Sequence, residues 1–166
     1  ASDDVWVAGG AGAIGSPPST VPVLLHFDGS SWTHVTVPTP SGYIRLNDVE
    51  AVAANDVYVS GNASVGTVVT PFMVHWDGST WTLLPGPPGG GDMVAFSGNL
   101  LWAGGTSAWF WNGAQWVEQF DVVGSYSGAI TSIDAVDPCE LYGAGARFGG
   151  QIRGFAARQQ KRPGRK

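Results

Sequence analysis

Cysteine is nearly absent from this chain: Cys139 stands alone, so no internal disulfide can staple the fold. It reads as a small apolar residue at a strand edge. Charge is sparse too, at 13% of residues, which argues against long solvated helices and for short strands joined by turns. No apolar run reaches the roughly 18 residues that a membrane-spanning helix needs. The opening Ala1-Ser2-Asp3-Asp4 has no charged segment leading into an apolar one, as a secretory leader would, and already lies inside a repeat. Basic residues are scarce in the body. All 13 acidic residues fall between Asp3 and Glu140, whereas seven of the eight basic residues fall between Arg147 and Lys166, and only Arg45 lies earlier. The end of the chain is therefore a basic tail on an acidic body, and the body opposes any nonspecific contact of that tail with nucleic acid.

What is abundant is turn formers and aromatic rings. Glycine supplies 25 residues, proline 11 and tryptophan eight, in a chain of 166 that is 43% hydrophobic. A disordered chain does not carry that aromatic load. The rings recur at fixed offsets. One pattern, an aromatic followed shortly by glycine, occurs as Asp4-Val5-Trp6-Val7-Ala8-Gly9, Asp56-Val57-Tyr58-Val59-Ser60-Gly61, Leu100-Leu101-Trp102-Ala103-Gly104 and Glu140-Leu141-Tyr142-Gly143-Ala144-Gly145. The aromatic spacings are 52, 44 and 40 residues, the size of a four-stranded repeat unit. Nine residues before Tyr58, Trp102 and Tyr142 stand Val49, Met93 and Ile133, and six before them stand Val52, Phe96 and Val136. Turn formers intervene (Asn55-Asp56, Gly98-Asn99 and Asp137-Pro138), so each stretch reads as strand, tight turn, strand.

A second signature lies downstream: His26-Phe27-Asp28-Gly29-Ser30-Ser31-Trp32, His75-Trp76-Asp77-Gly78-Ser79-Thr80-Trp81 and Phe110-Trp111-Asn112-Gly113-Ala114-Gln115-Trp116. Asp-Gly and Asn-Gly favour a type I′ hairpin turn, in which both central residues take positive φ. The turn residues are thus Asp28, Gly29, Asp77, Gly78, Asn112 and Gly113. The strands, copy by copy, are 2-3-4, 1-2-3-4, 1-2-3-4 and 1-2-3. The fold expected is all-β: a β-propeller, or part of one, of about three and a half to four four-stranded antiparallel blades. Its approximate copies are 1–40, 41–88, 89–121 and 122–158, with 159–166 as a flexible basic tail. An irregular β-sandwich is the alternative, but gives no reason for a repeated register. Fourteen strands do not complete four blades, so the chain reads as a piece of a longer one, or as a unit whose open edges are covered by a partner or by self-association.

These residues resemble kelch-like bacterial propeller repeats. They are most similar to the "DVWAVG…HWDGSxW" repeats of large secreted or surface proteins of myxobacteria and their relatives. Asp56–Gly61 with His75–Trp81 is the best copy. The resemblance implies a binding scaffold, set outside the cell or at its surface, and no catalytic activity. The Asp-Gly-Ser-Ser-Trp turn also resembles the Asp-box of sialidases, although the box's wider spacing between Asp and Gly is not kept. After Gly149-Gly150 the fourth copy departs from the pattern, with neither an Asp-Gly turn nor a closing tryptophan.

No catalytic constellation emerges. His26 and His75 occupy equivalent positions, but the third copy has Phe110 there, which suits a packing role better than a metal site. Replacement of Asp28 and Asp77 by Asn112 suits a turn better than an acid/base pair. Arg45, Arg147 and Arg153 lack the context of a sialidase triad, Cys139 beside Glu140 lacks that of a copper oxidase, and Pro87-Pro88-Gly89-Gly90-Gly91-Asp92 lacks the lysine of a phosphate loop and reads as a flexible connection. Trp6, Trp32, Trp81, Trp102 and Trp116 sit at repeat positions and are expected in the core. Trp76, Trp109 and Trp111 lie on third strands, where exposed rings could stack on a sugar or a peptide. The expectation is a noncatalytic scaffold for protein or carbohydrate, with no cofactor, contacting its ligand through the loops 10–22, 62–71 and 85–92. A propeller glycoside hydrolase and a structural repeat segment completed by another chain are the alternatives.

Overall fold

The computed structural model describes residues 3–13, 19–96, 100–121, 127–137, 140–148 and 152–159. Cys139, Gly98-Asn99, Pro138 and residues 160–166 of the basic tail lie outside them; Gln159, expected to open the tail, ends a strand. The protein is all-β, built as four antiparallel sheets. It divides into two units, Ala1–Gly86 and Pro87–Lys166. Among the described residues no helix is long and apolar enough to cross a membrane.

The first unit holds two sheets. Sheet 1 comprises β1 (Val5–Ala13), β2 (Ser19–Phe27) and β3 (Trp32–His34), in that order. Sheet 2 comprises β4 (Tyr43–Ala53), β5 (Asp56–Val65), β6 (Val68–Trp76) and β7 (Trp81–Pro85). Each strand pairs with its sequence neighbour, because short antiparallel connections bring consecutive strands together. The side-chain period of two sends Val59 and Ala63 of β5 to one face, with Phe72 and Val74 of β6 beside them. That face packs on Leu24 of sheet 1, with Trp6 and Ala8 against the same cluster.

The second unit is organised alike. Sheet 3 comprises β8 (Met93–Phe96), β9 (Leu100–Ala103), β10 (Ser107–Trp111) and β11 (Trp116–Asp121). Sheet 4 comprises β12 (Ser127–Asp137), β13 (Glu140–Phe148) and β14 (Ile152–Gln159). Ile130, Ile133 and Leu141 of sheet 4 pack on Trp102 and Ala108 of sheet 3. Polar contacts join the same two sheets. The Asp92 carboxylate accepts the Ile133 N–H at 3.0 Å, and the Gly105 carbonyl accepts the Ile130 N–H at 2.7 Å. The strand listing read from the repeats (three, four, four, three) is thus the observed sheet membership.

Several positions depart from expectation. Val52 and Val136 lie in strands, as their recurrence predicts, but each is the extra residue of a β-bulge, where the register shifts between Ala51 and Ala53 and between Ala135 and Asp137, and Val136 is 75% exposed. Trp32, expected in the core, is 51% exposed, because it lies on the short edge strand β3, all three of whose residues are exposed. The Pro87–Asp92 stretch is a packed turn rather than a flexible connection. Pro87 is fully buried, its carbonyl accepts the Gly90 N–H at 3.0 Å, and a Cβ on Gly91 would lie 2.4 Å from the Gly104 carbonyl oxygen. Most of 10–22 and 62–71 is strand: β5 runs to Val65 and β6 resumes at Val68, leaving Gly66-Thr67 as the turn.

Burial separates two tryptophans at repeat positions. Trp102→Ala removes a ring that is 1% exposed and should cost about 3–5 kcal/mol. Trp32→Ala should cost far less. Urea unfolding followed by the remaining tryptophan fluorescence measures both.

Candidate functional site

Three hairpin tips share one construction. The last ladder pairs before the loop are Phe27↔Trp32, Trp76↔Trp81 and Trp111↔Trp116, which leaves four residues in each loop. The two-residue type I′ turn expected from Asp-Gly and Asn-Gly is therefore not formed. The first loop residue folds its side chain over the loop instead. Asp28 Oδ1 accepts the backbone N–H groups of Ser30 and Ser31, both at 2.9 Å, and the Ser30 hydroxyl at 2.7 Å. Asp77 Oδ1 accepts the N–H groups of Ser79 and Thr80, both at 2.8 Å. Asn112 Oδ1 takes those of Ala114 and Gln115 at 3.0 Å. Glycine follows in each case at positive φ, 93° at Gly29, 91° at Gly78 and 92° at Gly113. Side-chain capping of loop N–H groups is why Asp and Asn are interchangeable here: both present an acceptor oxygen. The donors stabilise the charged carboxylate, so Asp28 is lowered to about 2 and Asp77 is held well below the usual carboxylate range.

The strands behind these tips carry a second recurring cluster. Asp4 Oδ1 accepts Trp6 Nε1 at 3.0 Å and contacts His26 Nε2 at 2.8 Å, while the imidazole stacks on the Trp6 ring at 4.1 Å. In sheet 2, Asp56 Oδ1 meets His75 Nε2 at 2.9 Å, and His75 stacks on Tyr58 at 4.2 Å. Burial, with the Asp56 charge and hydrogen bond, pushes the Tyr58 phenol well above its ordinary range. In sheet 3 the acid and the imidazole are both replaced, by Leu100 and Phe110, and Phe110 packs on Trp102 at 5.1 Å. In sheet 4 the Tyr142 hydroxyl donates to Glu140, and Arg158 stands in the histidine's register position. The acid two residues before the aromatic and the partner on the third strand thus change together. Comparing the four copies at those positions would have shown this from the sequence.

The acids and histidines are therefore held one cluster per sheet. Among the described residues no group of three or more His, Cys, Asp or Glu side chains converges as a metal set. The three tryptophans expected to form a stacking surface do not offer one together. Trp111 is 2% exposed, packed on Trp116 at 5.5 Å, and Trp76 is half-buried on Trp81 at 5.5 Å. Trp109 is half-buried, its Nε1 enclosed with no hydrogen-bond partner among the described residues. The exposed apolar groups lie elsewhere. The β5–β6 hairpin extends past β7, which pairs with β6 only from Phe72 to Trp76, and its tip exposes Val65, Val68 and Val69 by 57–64%. The patch lies within 62–71, expected as a contact loop, but on the ends of two paired strands rather than on a loop. Comparison with protein-family models, curated proteins and solved structures gives no match.

Two outcomes test these assignments. The Asp28 carboxyl is depressed in the folded chain, so its contribution to stability is present above about pH 4 and lost as pH falls towards about 2. A carboxyl carbon NMR titration should show that midpoint, and Asp28→Asn should remove the titration while keeping the loop. For the stacked cluster, Asp56→Leu and His75→Phe combined should destabilise less than the sum of the two single substitutions. A double-mutant cycle should read about 0.5–3 kcal/mol of coupling.

Proposed function

We propose that this chain is a noncatalytic β-propeller scaffold that binds a protein partner through apolar hairpin tips. The observation that carries the reading is the division of labour between its residues. The carboxylates and imidazoles at the repeat positions are engaged in holding loops and stacks, whereas the Val65, Val68 and Val69 side chains stand out in solvent on a hairpin whose base is locked into sheet 2. Solvent-exposed valines grouped on a rigid element suit an apolar protein surface. Fixed frames with projecting tips are how such scaffolds vary their specificity. The serial order of four antiparallel sheets, and the same face-to-face packing in each unit, support a propeller arrangement. The resemblance to kelch-like bacterial repeats favours a location outside the cell or at its surface.

A carbohydrate ligand is the second reading, favoured by the Trp32 ring, which is 51% exposed beside Phe27.

The test is selection of peptides from a displayed library on the immobilised chain, beside a glycan array. Selected peptides should lose about tenfold or more in affinity for a Val65→Ser, Val68→Ser, Val69→Ser variant that melts like the wild type. Binding confined to glycans and lost in Trp32→Ala would replace the protein reading with the carbohydrate one. Steady turnover of aryl glycosides by the purified chain would overturn the noncatalytic scaffold altogether.

A further inference from the structure

Strands β1, β5 and β13 are equivalent, each carrying the aromatic-to-glycine pattern, but their surroundings are not. In sheet 2, β5 lies between β4 and β6, and in sheet 4, β13 lies between β12 and β14. In sheet 1, β1 pairs among the described residues only with β2.

The strands that cover β5 and β13 match in detail. Leu46 sits opposite Gly61, and Ile130 opposite Gly145. Each is followed at once by a bulge, with Asn47 or Thr131 as the extra residue, and a second bulge falls at Val52 or Val136. The bulge at the glycine brings a backbone carbonyl across it. A Cβ on Gly61 would lie 2.7 Å from the Arg45 oxygen, and one on Gly145 would lie 2.0 Å from the Ala129 oxygen. Glycine is required there because the covering strand crosses so closely. Gly9 is the equivalent residue of β1, three positions after Trp6 as Gly61 follows Tyr58. Among the described residues, nothing lies within 4 Å of where its Cβ would be. The chain thus keeps the glycine in the one sheet where nothing presses on it. The face that carries Val5 and Val7 is uncovered as well as the edge: they are 37% and 45% exposed, whereas their counterparts Val57 and Val59 are fully buried, Val59 in the cluster that packs on Leu24 of sheet 1.

We infer that the free edge of β1 is an acceptor for an extended strand of the kind β4 and β12 provide, supplied by a further repeat of the same pattern. The incoming strand would be about eleven residues long, like β4 and β12, with an aliphatic residue opposite Gly9, a bulge immediately after it, and an aliphatic-acid-alanine run opposite Val5–Val7. Main-chain hydrogen bonds would supply the affinity, and the glycine with its bulge the register. This site is separate from the hairpin tip and does not depend on what that tip binds.

The probe is a synthetic peptide with the sequence of residues 127–137, titrated into the whole chain with hydrogen exchange as the readout. Saturable binding that slows exchange in residues 5–11, absent with a scrambled peptide, is the expected result. Gly9→Val should leave the melting temperature of the free chain unchanged, since its Cβ position is open, yet weaken peptide binding by about tenfold or more. Gly61→Val, by contrast, should lower the melting temperature. Equal binding to wild type and Gly9→Val would overturn the proposal, as would protection appearing at another strand edge. Concentration-dependent dimerisation without peptide, abolished by Gly9→Val, would put a second copy of the chain on this edge and overturn the assigned occupant.

Discussion

The structure depends on burying one apolar face of each small sheet against the other sheet of its own unit. A sheet of three or four short strands cannot cover its own faces, and an antiparallel ladder alone is marginal in water. In the first unit Val59, Phe72 and Val74 find Leu24, Trp6 and Ala8; in the second, Ile130, Ile133 and Leu141 find Trp102 and Ala108. The same face of the later sheet meets the same face of the earlier one in both cases. Large rings at the centre of this contact bury much area from few residues, so thin sheets suffice.

With the faces engaged in packing, the polar residues of the repeat are left for the strand ends, and there they do local work. Asp28, Asp77 and Asn112 satisfy loop N–H groups that a four-residue hairpin would otherwise leave to water. Asp4 and Asp56 orient imidazoles that lie flat on aromatic rings. The sheet that lacks the acid lacks the imidazole too, with Leu100 and Phe110 in their places, because either polar group alone would lose its partner. This economy leaves display to largely apolar side chains, the valines of the β5–β6 tip and the Trp32 ring.

Much of the frame was legible before the fold was seen. Period-two alternation and regularly spaced aromatics pointed to the strands, and the glycine-containing tetrapeptides to the hairpins, because both signals act over a few residues. The turn type was not legible. Asp-Gly is compatible with a two-residue turn and with a four-residue loop capped by the carboxylate, and the cross-strand pairing of Phe27 with Trp32 or Trp76 with Trp81 decides between them. The bulges at Val52 and Val136 were hidden for a related reason: a bulge shifts the alternation by one residue, which only the register with the partner strand reveals.

Sequence alone determined that the chain would be all-β, in repeated units of up to four antiparallel strands, since strand period, turn chemistry and repeat length are local and recur in every copy. Tertiary structure decided which rings are buried. Trp102 and Trp111 are enclosed while Trp32, at an equally regular position, stands in solvent. It likewise decided which glycines are crowded, since Gly61 and Gly9 read alike but only Gly61 has a strand crossing over it. Exposure and crowding depend on what lies across the sheet, and no short stretch of sequence contains its own neighbours.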